Sequence, residues 1–131
     1  MRCIRCAVTL AERSTAEGAI WPCFGCGAVW FPGTTVHERL SHDLGSEAAV
    51  FARLSSEQLA ASNDKCPECQ TLMRVVNLRI IDLDYCPKCH GIFFDKGEFA
   101  FVSQRTDINP KDLELVGELL INALFYTGGT Q

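Results

Sequence analysis

Eight cysteines set the terms on which this chain of 131 residues can fold. They stand at positions 3, 6, 23 and 26 and again at 66, 69, 86 and 89, so one pattern, C-x2-C-x16-C-x2-C, occurs twice at an offset of 63 residues. Two residues between paired cysteines let both sulfurs reach one ion while the backbone turns around it, and two such pairs supply the four thiolates of a closed tetrahedral zinc site. A segment of about 40 residues buries too little surface to fold without a staple. In a secreted chain the same count of cysteines would suggest disulfides; in a reducing compartment it suggests metal. Met1-Arg2-Cys3-Ile4-Arg5-Cys6, followed by Glu12 and Arg13, has no apolar stretch of signal-peptide length and no small-residue cleavage site. Nor is there a run of about 18 uncharged apolar residues that would span a membrane. The expectation is a cytoplasmic protein without membrane attachment that holds two structural Zn2+ ions. One is assigned to Cys3, Cys6, Cys23 and Cys26, and the other to Cys66, Cys69, Cys86 and Cys89. Iron would accept the same four-sulfur set.

The sixteen residues between the pairs are long enough to run out and back as a hairpin. In the second copy Thr71 to Val76 and Ile80 to Tyr85 read as strands around Asn77-Leu78-Arg79. In the first, Val8 to Arg13 and Ala19 to Trp21 flank the polar turn Ser14 to Gly18. A short apolar strand follows each last cysteine, Ala28 to Phe31 in one copy and Ile92 to Phe94 in the other. Cysteine turn, hairpin, cysteine turn, strand is the layout of a zinc ribbon.

The stretch Cys66 to Val102 resembles the bacterial zinc-ribbon family named for transcription factor IIB, whose members continue C-P-x-C-x-G-I-W-x-D-x-G-E-L after the hairpin. Here Cys86-Pro87-Lys88-Cys89-His90-Gly91-Ile92-Phe93-Phe94-Asp95-Lys96-Gly97-Glu98-Phe99 follows it, with Phe for the Trp and for the Leu. The first copy keeps the four cysteines and an aromatic pair but has Pro32-Gly33-Thr34-Thr35 in place of the Asp and Gly-Glu. The resemblance implies fold and metal for both copies, and the Asp-x-Gly-Glu element for the second alone.

The expected fold class is small α+β. Two three-stranded antiparallel ribbons, at 1–43 and 66–105, each run into a short helix. A helical linker at 44–65 joins them as separate modules, and a C-terminal amphipathic helix occupies 106–131. Thr34 to Leu40, Gly97 to Val102 and Ser46 to Leu54 read as helices. Ser55-Ser56-Glu57-Gln58 resembles a capping box, and Ala61 to Lys65 is a polar lead-in to the second ribbon. Asn109 and Pro110 suit the start of the last helix. Its stripe of Leu113, Val116, Leu120 and Leu124 either caps the ribbons or forms a homodimer or partner surface.

Hydrophobic residues make up 47 % of the chain and charged residues 21 %, a globular balance. Four-cysteine sites leave no position for substrate or activated water, so the chain is expected not to be an enzyme. His37, His42 and His90 form no constellation in the sequence. Nucleic-acid binding would favour an excess of Lys and Arg. Instead the net charge is −4, and eight thiolates with two Zn2+ take it to about −8. Arg74 and Arg79 on the second hairpin are the residues left to touch a backbone. A thiol or zinc redox sensor is a further alternative, because zinc-bound thiolates oxidise. The favoured reading is a protein-interaction adaptor or regulator associated with transcription. In each of the pairs Trp30/Phe31 and Phe93/Phe94, one aromatic is expected to pack on the hairpin and the other to face outward, where either the flanking helix covers it or it serves as a partner anchor.

Overall fold

The computed structural model describes residues 1–41, 44–55, 59–78 and 82–95, together with Leu120 and Leu124. Strands β1 (Arg13–Thr15), β2 (Gly18–Pro22) and β3 (Val29–Phe31) build the first ribbon. Helices α1 (Gly33–Leu40) and α2 (Leu44–Leu54) follow, and β4 (Ala60–Lys65), β5 (Leu72–Asn77), β6 (Asp82–Tyr85) and β7 (Ile92–Phe94) complete the second half. The described strands form a seven-stranded antiparallel sheet in the order β1-β2-β3-β7-β6-β5-β4. The ribbons are therefore not separate modules on a linker. Their third strands pair with each other, Val29 with Phe94, Trp30 with Phe93 and Phe31 with Ile92.

The 63-residue repeat holds in the hydrogen-bond register. Arg13 lies opposite Ile20 and Ser14 opposite Ala19 in the first ribbon; Val76 lies opposite Leu83 and Asn77 opposite Asp82 in the second. Trp21 pairs with Trp30 as Asp84 pairs with Phe93. The Arg2–Thr9 bridge is the counterpart of Lys65 with Leu72. In the β3–β7 pair Trp30 meets its own repeat counterpart, Phe93, and the flanking pairs Val29–Phe94 and Phe31–Ile92 are interchanged by the repeat, so the two halves join about a pseudo-two-fold axis between Trp30 and Phe93. The arrangement has the logic of an isologous dimer interface contained in one chain.

Central strands buried on both faces need apolar side chains on both, which is why β3 reads Val-Trp-Phe and β7 Ile-Phe-Phe. One face, with Val29, Phe31, Ile92 and Phe94, packs against Val36 and Leu40 of α1 and Val50 and Leu54 of α2. Leu120 and Leu124 lie in this same core, 0 % and 2 % exposed, so these two members of the C-terminal stripe cap the sheet and present no outer surface. The opposite face carries Trp30 and Phe93 and is covered by the cysteine turns themselves, with Cys3, Cys23, Cys66, Cys86, Leu10 and Met73 packed around the two rings.

The sequence reading needs four corrections. Trp30, Phe31, Phe93 and Phe94 are all 0–2 % exposed, so none stands outward as an anchor; the second half covers the ring that would have been bare in an isolated ribbon. The polar lead-in at 61–65 is strand β4, paired to β5, because its backbone groups need partners that polar composition does not reveal. The strand expected at Val8 to Arg13 begins as such only at Arg13, and the hairpin closes tightly with Thr15 opposite Gly18. Within the stretch expected as a helical linker, the described helix is α2, and Ala60 to Lys65 is strand rather than helix. The helix expected at Gly97 to Val102, the capping box at 56–58, Arg79, His42, Leu113 and Val116 lie outside the described residues.

Candidate metal centres

Four backbone turns bring the cysteines together, and they are alike. In each, the residue after the second cysteine adopts a left-handed conformation: Ala7 at φ 63°, Gly27 at 85°, Gln70 at 63° and His90 at 69°. Three of these are not glycine, so each turn holds a side chain in a region that L residues seldom occupy. The turns also share a hydrogen-bond pattern. The amide of Cys3 reaches the carbonyl of Val8 at 2.8 Å and the amide of Ala7 that of Cys3 at 2.9 Å. The same two bonds recur at Cys23, Cys66 and Cys86. This winding turns backbone N–H groups toward sulfur, with Arg5 on Cys3 at 3.4 Å, Glu68 on Cys66 at 3.3 Å and Cys89 on Cys86 at 3.4 Å. Such donors favour the thiolate that a metal needs.

The sulfurs gather in two clusters, Cys3, Cys6, Cys23 and Cys26, and Cys66, Cys69, Cys86 and Cys89, each with all four atoms within 4.8 Å of one another. Cys3 and Cys26 are 3.6 Å apart and Cys6 and Cys23 3.3 Å; their counterparts Cys66 and Cys89 are at 3.6 Å, and Cys69 and Cys86 at 3.4 Å. A regular tetrahedron with zinc–sulfur bonds of about 2.3 Å has edges of about 3.8 Å. All eight are free cysteines. Donor type, number and spacing fit two structural Zn2+ ions, and the ligands come from within each repeat.

The thiols of a site differ in their readiness to ionise. Burial pushes Cys26 and Cys66 up to about 12. At Cys69 burial also opposes ionisation, but hydrogen bonds from Thr71 and the neighbouring thiols outweigh it and hold the group down at about 6. Cys23 is held down at about 7, where the amides of Cys26 and Gly25 and the Cys6 thiol outweigh burial. Cys6 is the one exposed cysteine of the eight.

Side chains from each turn reach across the pseudo-axis. Arg5, between Cys3 and Cys6, binds Asp84 at 3.0 Å, Asp95 at 2.8 Å and Asp64, and its guanidinium lies 5.5 Å from the Phe93 ring. Its repeat counterpart, Glu68, accepts from the Trp30 indole Nε1 at 3.1 Å. Each cysteine turn thus grips the central aromatic of the other half. Asp95, the acidic residue of the family continuation, is one end of this grip; Gly97 and Glu98 lie outside the described residues.

Sequence reasoning missed a histidine contact. His37 of α1 and His90 of the second ribbon meet, Nε2 to Nδ1 at 3.1 Å, while His37 Nδ1 lies 3.1 Å from Glu47 of α2 and its ring stacks on Phe51 at 4.3 Å. A self-consistent proton arrangement has His37 donating to Glu47 and accepting from His90. Burial, then the neighbouring His37, pushes the His90 pKa down. The residues are 53 apart, on elements that only the joined sheet makes neighbours, so no local signal could have found the pair.

Residues 65–102 match the family model described as transcription factor zinc-finger. No curated protein and no solved structure matches the chain.

Proposed function

We propose that this chain, whose second half is a transcription-factor-type zinc ribbon, is a non-enzymatic, zinc-organised adaptor or regulator. It acts in the cytoplasm by holding a surface for another protein, in association with transcription. The observation that carries this reading is the closure of both sites. Every thiolate is paired off within a four-sulfur cluster, and on the inner side the clusters pack against Trp30 and Phe93. A metal so enclosed shapes a surface and offers no position to a substrate. Among the described residues, no helix is long and apolar enough to cross a membrane. The aromatics that the sequence offered as anchors are buried, so a partner must use other features; among the described residues, Phe24, Val8 and Leu72 are the large apolar side chains left exposed.

Nucleic acid is the competing partner, and charge disfavours it: Arg74 is exposed, but the chain is acidic and each zinc–thiolate centre adds negative charge. The test is affinity capture with the zinc-loaded full chain, followed by reconstitution with the purified partner in the presence and absence of a chelator. Binding that needs zinc and tolerates moderate salt supports the adaptor. Tight, salt-sensitive binding to DNA or RNA, measured at two ionic strengths, would replace it with the nucleic-acid reading.

A further inference from the structure

The two metal centres are built alike, so the points at which one departs from the other are informative. Zinc has no redox chemistry of its own, but the thiolates that hold it stay deprotonated and carry the electrons an oxidant takes. Which thiolate yields first depends on exposure and on what covers the sulfur. Moved by 63 residues, Cys6 falls on Cys69, Val8 on Thr71 and Gly25 on Lys88.

Cys69 is half-buried, whereas Cys6 is exposed. The hydroxyl of Thr71 lies 3.3 Å from the Cys69 sulfur, where it donates to the thiolate form. A donated hydrogen bond stabilises the charge that makes the sulfur a nucleophile and so slows its attack. At Cys6 the corresponding side chain is Val8, 44 % exposed and without a donor. A Cβ at Gly25 would lie 3.3 Å from Cys6 Sγ, so this glycine leaves one side of the sulfur bare. By the repeat, its place beside Cys69 belongs to Lys88, which carries the Cβ that Gly25 lacks.

A second sulfur is at hand. Cys23 Sγ lies 3.3 Å from that of Cys6, nearer than the 3.6 Å between Cys3 and Cys26. The Cys6 thiolate can attack one oxygen of hydrogen peroxide; the O–O bond breaks, Cys6 becomes a sulfenic acid and hydroxide leaves. The Cys23 thiolate then attacks the Cys6 sulfur; the S–S bond forms, the S–O bond breaks and a second hydroxide leaves. Two electrons pass from the sulfurs to the peroxide, and two solvent protons turn both hydroxides into water. With half of its ligands gone the site cannot hold an ion, and Cys3 and Cys26 take up protons.

We infer that Cys6 is an oxidation site for peroxides, forming a disulfide with Cys23 that empties the first metal centre while the second stays reduced. The turn that carries Cys6 also carries Arg5, which binds Asp84 at 3.0 Å and Asp95 at 2.8 Å on the other half. Oxidation therefore loosens one turn's grip on the second ribbon, and reduction with zinc restores it. The inference goes beyond the adaptor reading and stands without it.

The test treats the full zinc-loaded chain with hydrogen peroxide in the presence of a zinc indicator, then denatures it, alkylates the remaining thiols and maps them by mass spectrometry. One ion should leave first, together with a Cys6–Cys23 disulfide, while Cys66, Cys69, Cys86 and Cys89 are still alkylated. A sample without peroxide should keep both ions over the same time. Two double variants then exchange the covering groups without touching a ligand. Val8→Thr with Gly25→Ala should slow the first release roughly threefold to tenfold. Val8→Thr alone, which changes little volume, should give part of that slowing. Thr71→Val with Lys88→Gly should speed release from the second centre by a similar factor. Equal rates of loss from the two centres, or oxidation appearing first among Cys66 to Cys89, would overturn the assignment. So would a first disulfide that omits Cys6, first release as fast without peroxide, or covering variants that oxidise as fast as the parent.

Discussion

At the scale of single residues, two glycines mark where the halves touch most closely. A Cβ on Gly33 would lie 1.8 Å from the carbonyl oxygen of Cys89, and one on Gly91 would lie 2.2 Å from the Trp30 ring. Gly33 opens α1 in the first half and Cys89 is a metal ligand of the second, so Gly33→Ala pushes directly on a cysteine turn. Its expected cost is about 2–3 kcal/mol, read by denaturant unfolding of the zinc-loaded chain, with weaker metal retention at the second site. The cysteines carry a pH prediction. With Cys26 and Cys66 pushed up to about 12 by burial, their thiols remain protonated at neutral pH until zinc displaces the protons. Affinity for zinc should therefore rise with pH and fall with acid, by about tenfold per pH unit for each proton displaced. Competition with a chelating indicator at two pH values checks the slope, and a flat profile would contradict it. The cysteines and their grouping were legible in the sequence because spacing alone dictates them. The left-handed backbone at Ala7, Gln70 and His90 was not, since none of these residue types announces it.

At the scale of elements, the β3–β7 pair is the decisive contact. The short apolar strands were readable from Val-Trp-Phe and Ile-Phe-Phe, but the same letters suit a strand with one face bare. Composition cannot say whether a second ribbon or solvent lies across an edge. Phe93→Ala removes a fully buried ring from the wall shared by both metal sites, at an expected cost of about 3–5 kcal/mol. Zinc release followed with a metal indicator should become faster at both sites, not only at that of residues 66–89. Arg5→Met tests the grip across the axis. It leaves Asp84, buried and already biased toward protonation by that burial, without its cation. The loss should be about 1–2 kcal/mol and smaller at high salt, because Arg5 is partly exposed.

At the scale of the whole molecule, the sheet turns two sites into one cooperative unit. If the ribbons were separate modules, Cys66→Ser would cost one ion and leave the first ribbon standing. With β3 paired to β7, Glu68 on Trp30 and Arg5 on Asp84, the consequence differs. Elemental analysis of the full chain purified without chelator should give two zinc per chain, and the variant should bind its remaining ion more weakly than the parent does at the same site. Unfolding should be a single transition followed alike by fluorescence and by metal release. The idea is falsified if the halves of the variant melt separately, with the first retaining its parental affinity.

By itself the sequence determined the four-sulfur type of metal site, its eight ligands, their division into two sets and the strand–turn–strand layout of each half. All of these are local, because a tetrahedral ion held by two closely spaced pairs leaves the intervening chain little freedom. The tertiary structure alone decided that the halves share a sheet, that the aromatics face each other across its axis, and that His37 meets His90. Those outcomes depend on which apolar face finds which, and burial is non-directional: it says that Trp30 and Phe93 must be covered, and only the assembled fold says by what.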